Sequence, residues 1–311
     1  MIENKAEILQ VIKQKANDLG FADCRILPVQ KLEEEAEHLN SWLEQGLHGE
    51  MAYMERNIDK RLDPGILVAG AKTLLIVAQN YFTDKFQQDQ EAPVISKYAY
   101  GEDYHFVMKR KLRILFDFIR SEIADCTGRI FVDSAPVLER AWARKAGFGW
   151  VGKNSNLISP EYGSFFFIGE IILDAELPYE DCRAINDRCG NCTRCIDACP
   201  TKAIVENRVV DARKCISYQT IELRNGPDEQ LKGQFSNRVF GCDICQDVCP
   251  WNLKSQINRE PAFVPDKRLL AMTAREWSEL DGDSFDEVFG LSALQRTGYE
   301  GFMRNLAFLN S

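Results

Sequence analysis

Seven of the chain's eleven cysteines lie in two runs of related spacing, and an eighth lies alone between the runs. The spacing C-x-x-C-x-x-C-x-x-x-C-P is typical of proteins that hold two cubane 4Fe–4S clusters. Such a pattern constrains the fold strongly, because the thiolates of both runs must converge on the same two centres. The first run is Cys189, Cys192, Cys195 and Cys199-Pro200, the single residue is Cys215, and the second run is Cys242, Cys245 and Cys249-Pro250.

The spacing also indicates which thiolates share a cluster. Three thiolates two residues apart lie on one tight loop and reach three corners of a cube, whereas the fourth lies one turn further on and points at the neighbouring cluster. The second run lacks one thiolate, and Cys215 is the spare cysteine in this half of the chain. We therefore assign the ligands as Cys189, Cys192, Cys195 and Cys249 for one cluster and Cys199, Cys215, Cys242 and Cys245 for the other.

Disulfides and structural zinc are the alternatives for these cysteines. No secretory signal precedes the cysteine-rich segment, which argues against disulfides. Zinc ribbons use C-x-x-C pairs without the terminal C-P. Two clusters transfer electrons one at a time, so the pattern predicts a redox enzyme or an electron carrier.

Composition narrows the class of protein further. The chain has 311 residues, 45% of them hydrophobic, and a net charge of −9, which argues against a dedicated non-specific nucleic-acid binder. The longest apolar run, residues 165–173, is interrupted by Glu170 and is too short to span a bilayer. We therefore expect a soluble, cytoplasmic protein. The other cysteines, Cys24, Cys126 and Cys182, are predicted to be unligated.

Helix and strand patterns mix throughout the first part of the chain, which predicts an α+β layer fold. Helical spacing occurs in residues 8–19, 105–123, 137–146 and 299–309, and strand patterns occur in residues 73–78, 129–132 and 165–173. The expected organisation is a catalytic domain at residues 1–180, a ferredoxin-like domain at residues 181–259, and a segment at residues 260–311 that packs back on the catalytic body.

The first 180 residues contain a candidate catalytic carboxylate. Asp133 follows a predicted strand, and strand ends open on crevices where a general acid can act. The alternative is that Asp133 caps the helix that starts near Pro136. Gly147, Gly149 and Gly152 follow a helix rather than a strand, so we interpret them as a turn where the backbone passes a bulky ligand, not as a dinucleotide site.

Taken together, these motifs resemble the epoxyqueuosine reductase family, the cobalamin-dependent iron–sulfur enzymes of queuosine synthesis in tRNA. The resemblance covers nearly the whole chain, although longer family members carry a C-terminal helical repeat domain that is not found here. The matching stretches are KRLDP (60–64), YGEDYH (100–105), VD (132–133), ERA (139–141), AGFGWVGKN (146–154), EYGS (161–164), CIS (215–217), GCD (241–243) and the cysteine pattern.

The resemblance implies a fold, a reaction and a set of site residues. The fold would be α+β, with an α/β-layered, nitroreductase-like cobalamin domain and a ferredoxin-like domain with two 4Fe–4S clusters. The reaction would be two-electron reduction of the epoxide of epoxyqueuosine at the wobble position of tRNA, giving queuosine and water. Asp133 would be the proton donor, with a pKa raised by burial. The implied cobalamin contacts are Arg61, Ser96, Asp133, Leu157, Ile168, Ser217 and Asp243.

No histidine is expected to ligate the cobalt, because the start of a D-x-H-x-x-G motif at Asp103 and His105 has Met108 where glycine is needed. The implied partners are tRNAs for His, Tyr, Asn and Asp and an external electron donor, and a monomer is expected. Two other functions stay open: a reductive dehalogenase, whose usual twin-arginine signal is not present, and an electron-transfer subunit without a substrate. For the tRNA, basic residues of the cluster segment are candidate contacts: Arg208, Arg213, Lys214, Arg224, Lys232, Arg238 and Lys254.

Overall fold

A computed structural model describes residues 4–311 as a layered arrangement of helices around a small central sheet. Its strands are β1 (Asp23–Pro28), β2 (Thr73–Asn80), β3 (Val94–Ile95), β4 (Gly128–Phe131), β5 (Trp150–Val151), β6 (Leu157–Ile158), β7 (Phe166–Leu173), β8 (Ile204–Glu206), β9 (Val209–Val210) and β10 (Arg238–Phe240). Its helices are α1 (Lys5–Asp18), α2 (Glu33–Glu44), α3 (Ile58–Leu62), α4 (Pro64–Leu67), α5 (Tyr104–Phe118), α6 (Glu139–Lys145), α7 (Arg194–Ala198), α8 (Ile216–Ile221), α9 (Ile244–Asp247), α10 (Lys267–Ala271), α11 (Ala274–Ser278), α12 (Gly282–Phe289) and α13 (Gly298–Asn310).

The central sheet has four antiparallel strands in the order β1-β2-β7-β4. The prediction that residues 165–173 form a central strand is confirmed, since β7 lies between β2 and β4. Nearly all of β7 is buried, because helices cover both faces of the sheet. Within it, Glu170 is paired in register with Ile76 of β2 and Phe131 of β4.

Each face of the sheet has its own hydrophobic core. On one face, Ile12 of α1 and Leu112 of α5 pack with Val77 of β2. On the other face, Trp142 of α6 packs with Ile76 of β2. The α+β layer fold predicted from the alternating helix and strand patterns is confirmed by this arrangement.

The C-terminal segment builds a third core against the short β3/β10 pair. Trp277, Phe285 and Phe302 are buried together with Ile95 and Phe240. The segment therefore packs on strands that flank the cysteine-rich part of the chain. The division into three domains stays a prediction.

Asn305 of α13 fixes this packing with two buried hydrogen bonds. Its side-chain N–H group donates to the carbonyls of Thr220 (2.8 Å) and Val239 (3.0 Å). Both carbonyls belong to the cluster segment, so α13 contributes directly to the position of that segment.

Local boundaries differ from the sequence-based expectations in three places. The helix predicted at 105–123 is α-helical only to Phe118 and ends in a π-helical turn, Ile119–Ile123. The helix predicted at 137–146 is shorter, Glu139–Lys145. Strand β1 has no counterpart among the predicted strands, since its six residues are too few for a clear alternation. Among residues 4–311, no helix combines the length and apolar character required to cross a bilayer.

Candidate active site and cluster framework

Asp133 lies in a loop just beyond the end of β4. Its backbone φ is 53°, in the left-handed region, and its N–H group donates to the carboxylate of Glu139. The hydroxyl of Tyr104 donates a hydrogen bond of 2.5 Å to Asp133 Oδ2. Helix α6 has Leu138 as its N-cap and no side-chain cap, so the alternative that Asp133 caps this helix is wrong.

His105 faces Asp133 from the first turn of α5. Its Nδ1 lies 2.7 Å from Asp103 Oδ1, and its Nε2 lies 3.6 Å from Asp133 Oδ2. The ring of Tyr104 stacks on His105 and on Phe167 of β7, with both centroid distances 4.1 Å. The stacked rings hold the imidazole between two carboxylates.

These contacts determine where protons reside. Burial alone would lower the pKa of His105, but Asp103 and Asp133 raise it to about 9. Burial raises the pKa of Asp133, but His105, Tyr104 and the charge of Arg296 outweigh burial and hold it below its usual value. The Asp133 side chain is also 59% exposed. The expectation of a raised pKa at Asp133 is therefore not met: at neutral pH the proton resides on the imidazole.

Two further carboxyl groups beside Asp133 do have raised pKa values. Burial, with the nearby charge of Asp133, raises the pKa of Glu139 to about 8. Glu170 is fully buried and neither of its carboxyl oxygens has a hydrogen-bond partner. Burial, together with the charges of Glu139 and Asp133, raises its pKa well above the usual value. Both were missed as site residues, although Glu170 was visible as the interruption of an apolar strand.

Arg296 and Arg61 approach the same loop from other parts of the chain. Nη2 of Arg296 lies 2.9 Å from each of the two carboxylate oxygens of Glu222, which makes this ion pair bidentate. Arg61 is buried, its Nη2 donates to the carbonyl of Tyr53 at 2.8 Å, and its Nε has no partner among residues 4–311. Burial and the charge of Glu222 raise the pKa of Tyr53 to about 12. Arg296 was not anticipated from the sequence, since it comes from the C-terminal segment.

An aromatic cleft of about 220 Å³ lies beside this group. It brings together Leu157 and Ile168, two of the residues that the resemblance assigns to cobalamin, with Tyr104, the hydrogen-bond donor to Asp133. Apolar walls with a few polar groups are typical of cofactor sites. The lining residues are Tyr81, Tyr98, Tyr104, Arg140, Asn156, Leu157, Ser164, Phe166, Phe167, Ile168 and Gln246.

Ser96 and Asp243, also assigned to cobalamin, lie next to each other in a buried position. Asp243 Oδ2 accepts a hydrogen bond of 2.8 Å from the backbone N–H of Lys97. Burial raises the pKa of Asp243, although the charge of Lys97 opposes this rise. Gly241 has a φ of 69°, and a Cβ there would stand 2.3 Å from Ser96 Oγ, so this approach requires glycine.

Ser217 lies in the first turn of α8, two residues after Cys215. Burial raises the pKa of the Cys215 thiol, and the backbone N–H groups of Tyr218 and Ser217 act against that rise. Ser217 is therefore adjacent to a predicted cluster ligand. The assignment of all these residues to cobalamin stays a prediction.

The first predicted set of cysteines consists of mutual neighbours. Burial is the main cause of the raised pKa of Cys195, and the charges of Cys189 and Cys249 raise this pKa further. Burial likewise raises the pKa of Cys249, with contributions from Cys189 and Cys192. The indole N–H of Trp150 donates to Cys189 Sγ at 3.4 Å. Thiols from two distant stretches of the chain thus lie near one another.

The second set shows the same pattern. Burial, with a smaller effect of the charge of Cys199, raises the pKa of Cys215. Burial, with a smaller effect of the charge of Cys215, raises the pKa of Cys242 to about 12. The pKa of Cys245 is raised by burial and then by Cys242 and Cys215. The backbone N–H of Ala203 donates to Cys199 Sγ at 3.2 Å. Both neighbour sets support the predicted ligand sets, which stay predictions.

Two sets of four thiols suit two cubane clusters, because each thiolate then binds a different iron at a different corner. Among residues 4–311, no three Cys, His, Asp or Glu side chains converge closely enough to hold one metal ion. Cys24 and Cys126 are buried, Cys182 is partly buried, and all three lie outside these sets.

The glycine series at residues 147–152 packs closely against neighbouring parts of the chain. Gly147 has a φ of 77° and ends α6. A Cβ on Gly149 would stand 2.0 Å from the carbonyl oxygen of Ile158, and one on Gly152 would stand 2.4 Å from Ile158 Cδ1. The expected turn is present, and at Gly149 and Gly152 the close neighbour is Ile158 of β6. The bulky ligand expected beside this turn stays a prediction.

Several of the basic residues proposed for tRNA are engaged within the protein. Arg208 pairs with Asp187, and Arg213 pairs with Asp211 at 2.8 Å. Arg224, in contrast, donates to the carbonyl of Arg296 at 3.2 Å, which places it near the Asp133 loop.

Two family models match the chain. Residues 61–134 match a model described as "Epoxyqueuosine reductase QueG, DUF1730", and residues 188–252 match a "4Fe-4S double cluster binding domain". The first range includes Asp133, and the second includes all eight predicted ligands, from Cys189 to Cys249.

Curated relatives match over nearly the whole chain. The epoxyqueuosine reductase of Cellulophaga algicola is 50% identical over 308 residues, which cover 99% of this chain and 100% of that protein. The epoxyqueuosine reductase of Escherichia coli (strain K12) is 40% identical over 309 residues, which cover 97% of this chain and 80% of that protein.

Solved structures agree with the sequence relatives. An epoxyqueuosine reductase crystallised with an epoxyqueuosine-modified stem loop of tyrosine tRNA superimposes with a TM-score of 0.90 and 28% identity, covering 98% of this chain and 81% of that chain. The Bacillus subtilis enzyme, described with its catalytic aspartate loop swung out of the active site, gives a TM-score of 0.88 and 27% identity, covering 98% and 82%. With relatives at 40% and 50% identity over almost its full length, the chain belongs to the epoxyqueuosine reductase family.

Proposed function

We propose that this chain reduces the epoxide of epoxyqueuosine in tRNA to the alkene of queuosine. Two electrons and two protons are consumed, both carbon–oxygen bonds of the epoxide break, and the oxygen leaves as water. The observation that carries the proposal is the proton-holding group of Asp133, Tyr104 and His105 in a family member that also has two sets of four neighbouring thiols. Family membership favours this function over a reductive dehalogenase or a subunit without a substrate.

The two cysteine sets would hold the clusters, and the aromatic cleft would hold cobalamin. Arg61 supports the cofactor assignment, because its buried Nε has no partner among residues 4–311 and is therefore free to bind a polar group. Leu157 and Ile168 provide apolar walls, and Ser217 lies two residues after Cys215, a proposed cluster ligand. Bound cobalamin would supply the low-potential electrons at the substrate carbon.

The absence of a histidine ligand to cobalt is also part of the proposal. His48 is buried and pairs with Glu55 at 2.9 Å, and His38 contacts the carbonyl of Glu34 at 3.2 Å. His105 is held by Asp103. Each of the chain's three histidines thus has a hydrogen-bond or ion-pair partner within the protein.

The protein's own contribution is to hold and deliver protons. Below pH about 9 the imidazole of His105 carries a proton 3.6 Å from the carboxylate of Asp133. Asp133 can receive that proton and donate it to the epoxide oxygen as the carbon–oxygen bond breaks. Tyr104 fixes the orientation of the carboxylate through its hydrogen bond. Asp133 is thus the proposed proton donor, and His105 its supply.

The tRNA substrate requires cations near the same loop. Arg296 and Arg224 lie together, and Arg304 donates to the carbonyl of Arg224 at 2.6 Å. These guanidinium groups suit phosphates and splayed anticodon bases. We infer that the substrates are the tRNAs for His, Tyr, Asn and Asp, and that the enzyme works in the cytoplasm as a monomer with an external electron donor.

The experiment that tests the proposal compares Asp133→Asn with wild type on epoxide-bearing tRNA. Asparagine tolerates the left-handed backbone at this position, so the loop is kept while the acid is lost. We expect turnover to fall by about 10²-fold or more, with the visible bands of clusters and corrin unchanged. Asp125→Asn, an exposed position, is the matched control. Retained turnover in Asp133→Asn would remove the proton-donor role.

A further inference from the structure

A surface patch of three exposed side chains and one half-buried indole lies over the first cysteine set. It consists of Arg188, Trp251, Leu253 and Lys254, and is called the Trp251 patch below. Leu253 is 81% exposed, which is unusual for a large apolar side chain. The cations of Arg188 and Lys254 lie over the ring of Trp251, at 5.9 Å and 5.5 Å from its centroid.

The patch is connected to the cysteines by direct contacts. Trp251 packs edge-on against Trp150, with ring centroids 4.9 Å apart. Trp150 in turn donates its indole N–H to Cys189 Sγ at 3.4 Å. Cys249, of the same set, precedes Trp251 by two residues. The indole of Trp150 therefore lies between Trp251 of the patch and Cys189 of the first set.

The charge of the patch is opposite to that of the whole protein. The chain carries a net charge of −9, whereas neither Arg188 nor Lys254 has a carboxylate within ion-pair distance among residues 4–311. Two unpaired cations around an exposed leucine complement an acidic protein surface. An RNA is a poorer match, because its epoxide must reach Asp133 in the aromatic cleft and a leucine offers nothing to phosphates.

We propose that the Trp251 patch docks an acidic one-electron carrier protein and that electrons enter through the cluster of the first set. This inference rests on the proposed function only in requiring that the first set holds a 4Fe–4S cluster. In each encounter the reduced carrier loses one electron and the cluster gains it; no bond changes and no proton moves at the patch. Two encounters supply the two electrons that one epoxide consumes.

The test uses the holoenzyme with a reduced plant-type ferredoxin as the probe. In the double variant Arg188→Glu/Lys254→Glu we expect cluster reduction, followed as bleaching in a stopped-flow instrument, to be about tenfold slower at low salt and nearly equal to wild type at about 0.5 M salt. Reduction by dithionite should be unchanged. The control Lys31→Glu/Lys267→Glu makes the same change of net charge at two exposed positions elsewhere.

An independent measurement uses binding rather than rates. Leu253→Ser should weaken binding of oxidised ferredoxin to the enzyme severalfold, with the iron content unchanged. Equal ferredoxin rates in both double variants, or an equal loss of the dithionite rate, would overturn the proposal. So would loss of tRNA binding in the Arg188→Glu/Lys254→Glu variant with ferredoxin binding intact. Failure of the wild type to reduce epoxide-bearing tRNA with dithionite would instead count against the proposed function alone.

Discussion

Replacement of the buried Glu170 by leucine should stabilise the protein, and more so as the pH rises. Glu170 is fully buried between strands β2 and β4, and its two oxygens have no hydrogen-bond partner. Burial, then the charges of Glu139 and Asp133, raises its pKa well above the usual 4.5. In the folded protein the group is therefore neutral at pH values where the unfolded chain carries it as an anion.

The sign and size of the effect follow from proton binding. Between pH 4.5 and the higher pKa of the folded state, the folded protein binds one proton more than the unfolded chain at this group. The free energy of unfolding therefore falls by about 1.4 kcal/mol for each unit by which the pH rises. Leucine removes this loss, so the advantage of Glu170→Leu grows by about 1.4 kcal/mol for each pH unit between 4.5 and the pKa of Glu170 in the folded protein.

Thermal unfolding under anaerobic conditions measures the effect. For 311 residues, an unfolding entropy of about 2.1 cal/mol/K per residue converts about 1.4 kcal/mol into about 2 °C of Tm. The Tm difference between Glu170→Leu and wild type should widen by about that amount for each unit by which the pH rises within this range. The Tm difference between Glu170→Gln and wild type should change with pH in the same way. The Tm of Glu170→Gln should lie below that of Glu170→Leu, because the buried amide is left without hydrogen-bond partners. A Tm difference that does not change with pH would refute the reasoning.

Two other substitutions test the cluster and proton assignments. Cys215→Ala should lose one cluster, which halves the iron content, whereas Cys182→Ala should keep all of it; iron analysis and electron paramagnetic resonance distinguish these results. His105→Gln removes the group that holds a proton below pH about 9, so turnover should fall and the remaining activity should shift to lower pH. A pH–rate profile equal to that of wild type would contradict the role of His105.

The sequence was most informative where function depends on local spacing. The cysteine pattern predicted two sets of four, and the neighbour relations of Cys195 and Cys245 agree with those sets. The strand at 165–173 was predicted from its apolar content alone. Both inferences needed only residues close in sequence.

The protonation of the active site could not be predicted in this way. The pKa of Asp133 depends on Tyr104 and His105, almost thirty residues earlier, and on Arg296 from the C-terminal segment. Burial of the strand end suggested a raised pKa for Asp133. Tyr104 and His105 of α5, together with the charge of Arg296, lower it instead. No local pattern specifies which of these side chains meet.

The contact between Trp150 and Cys189 gives the enzyme a built-in optical reporter. An iron–sulfur cluster bound by Cys189 would quench the emission of this buried indole, and of Trp251 beside it. Loss of that cluster would restore tryptophan fluorescence, so the decay of one of the two metal centres in air can be followed without an added dye.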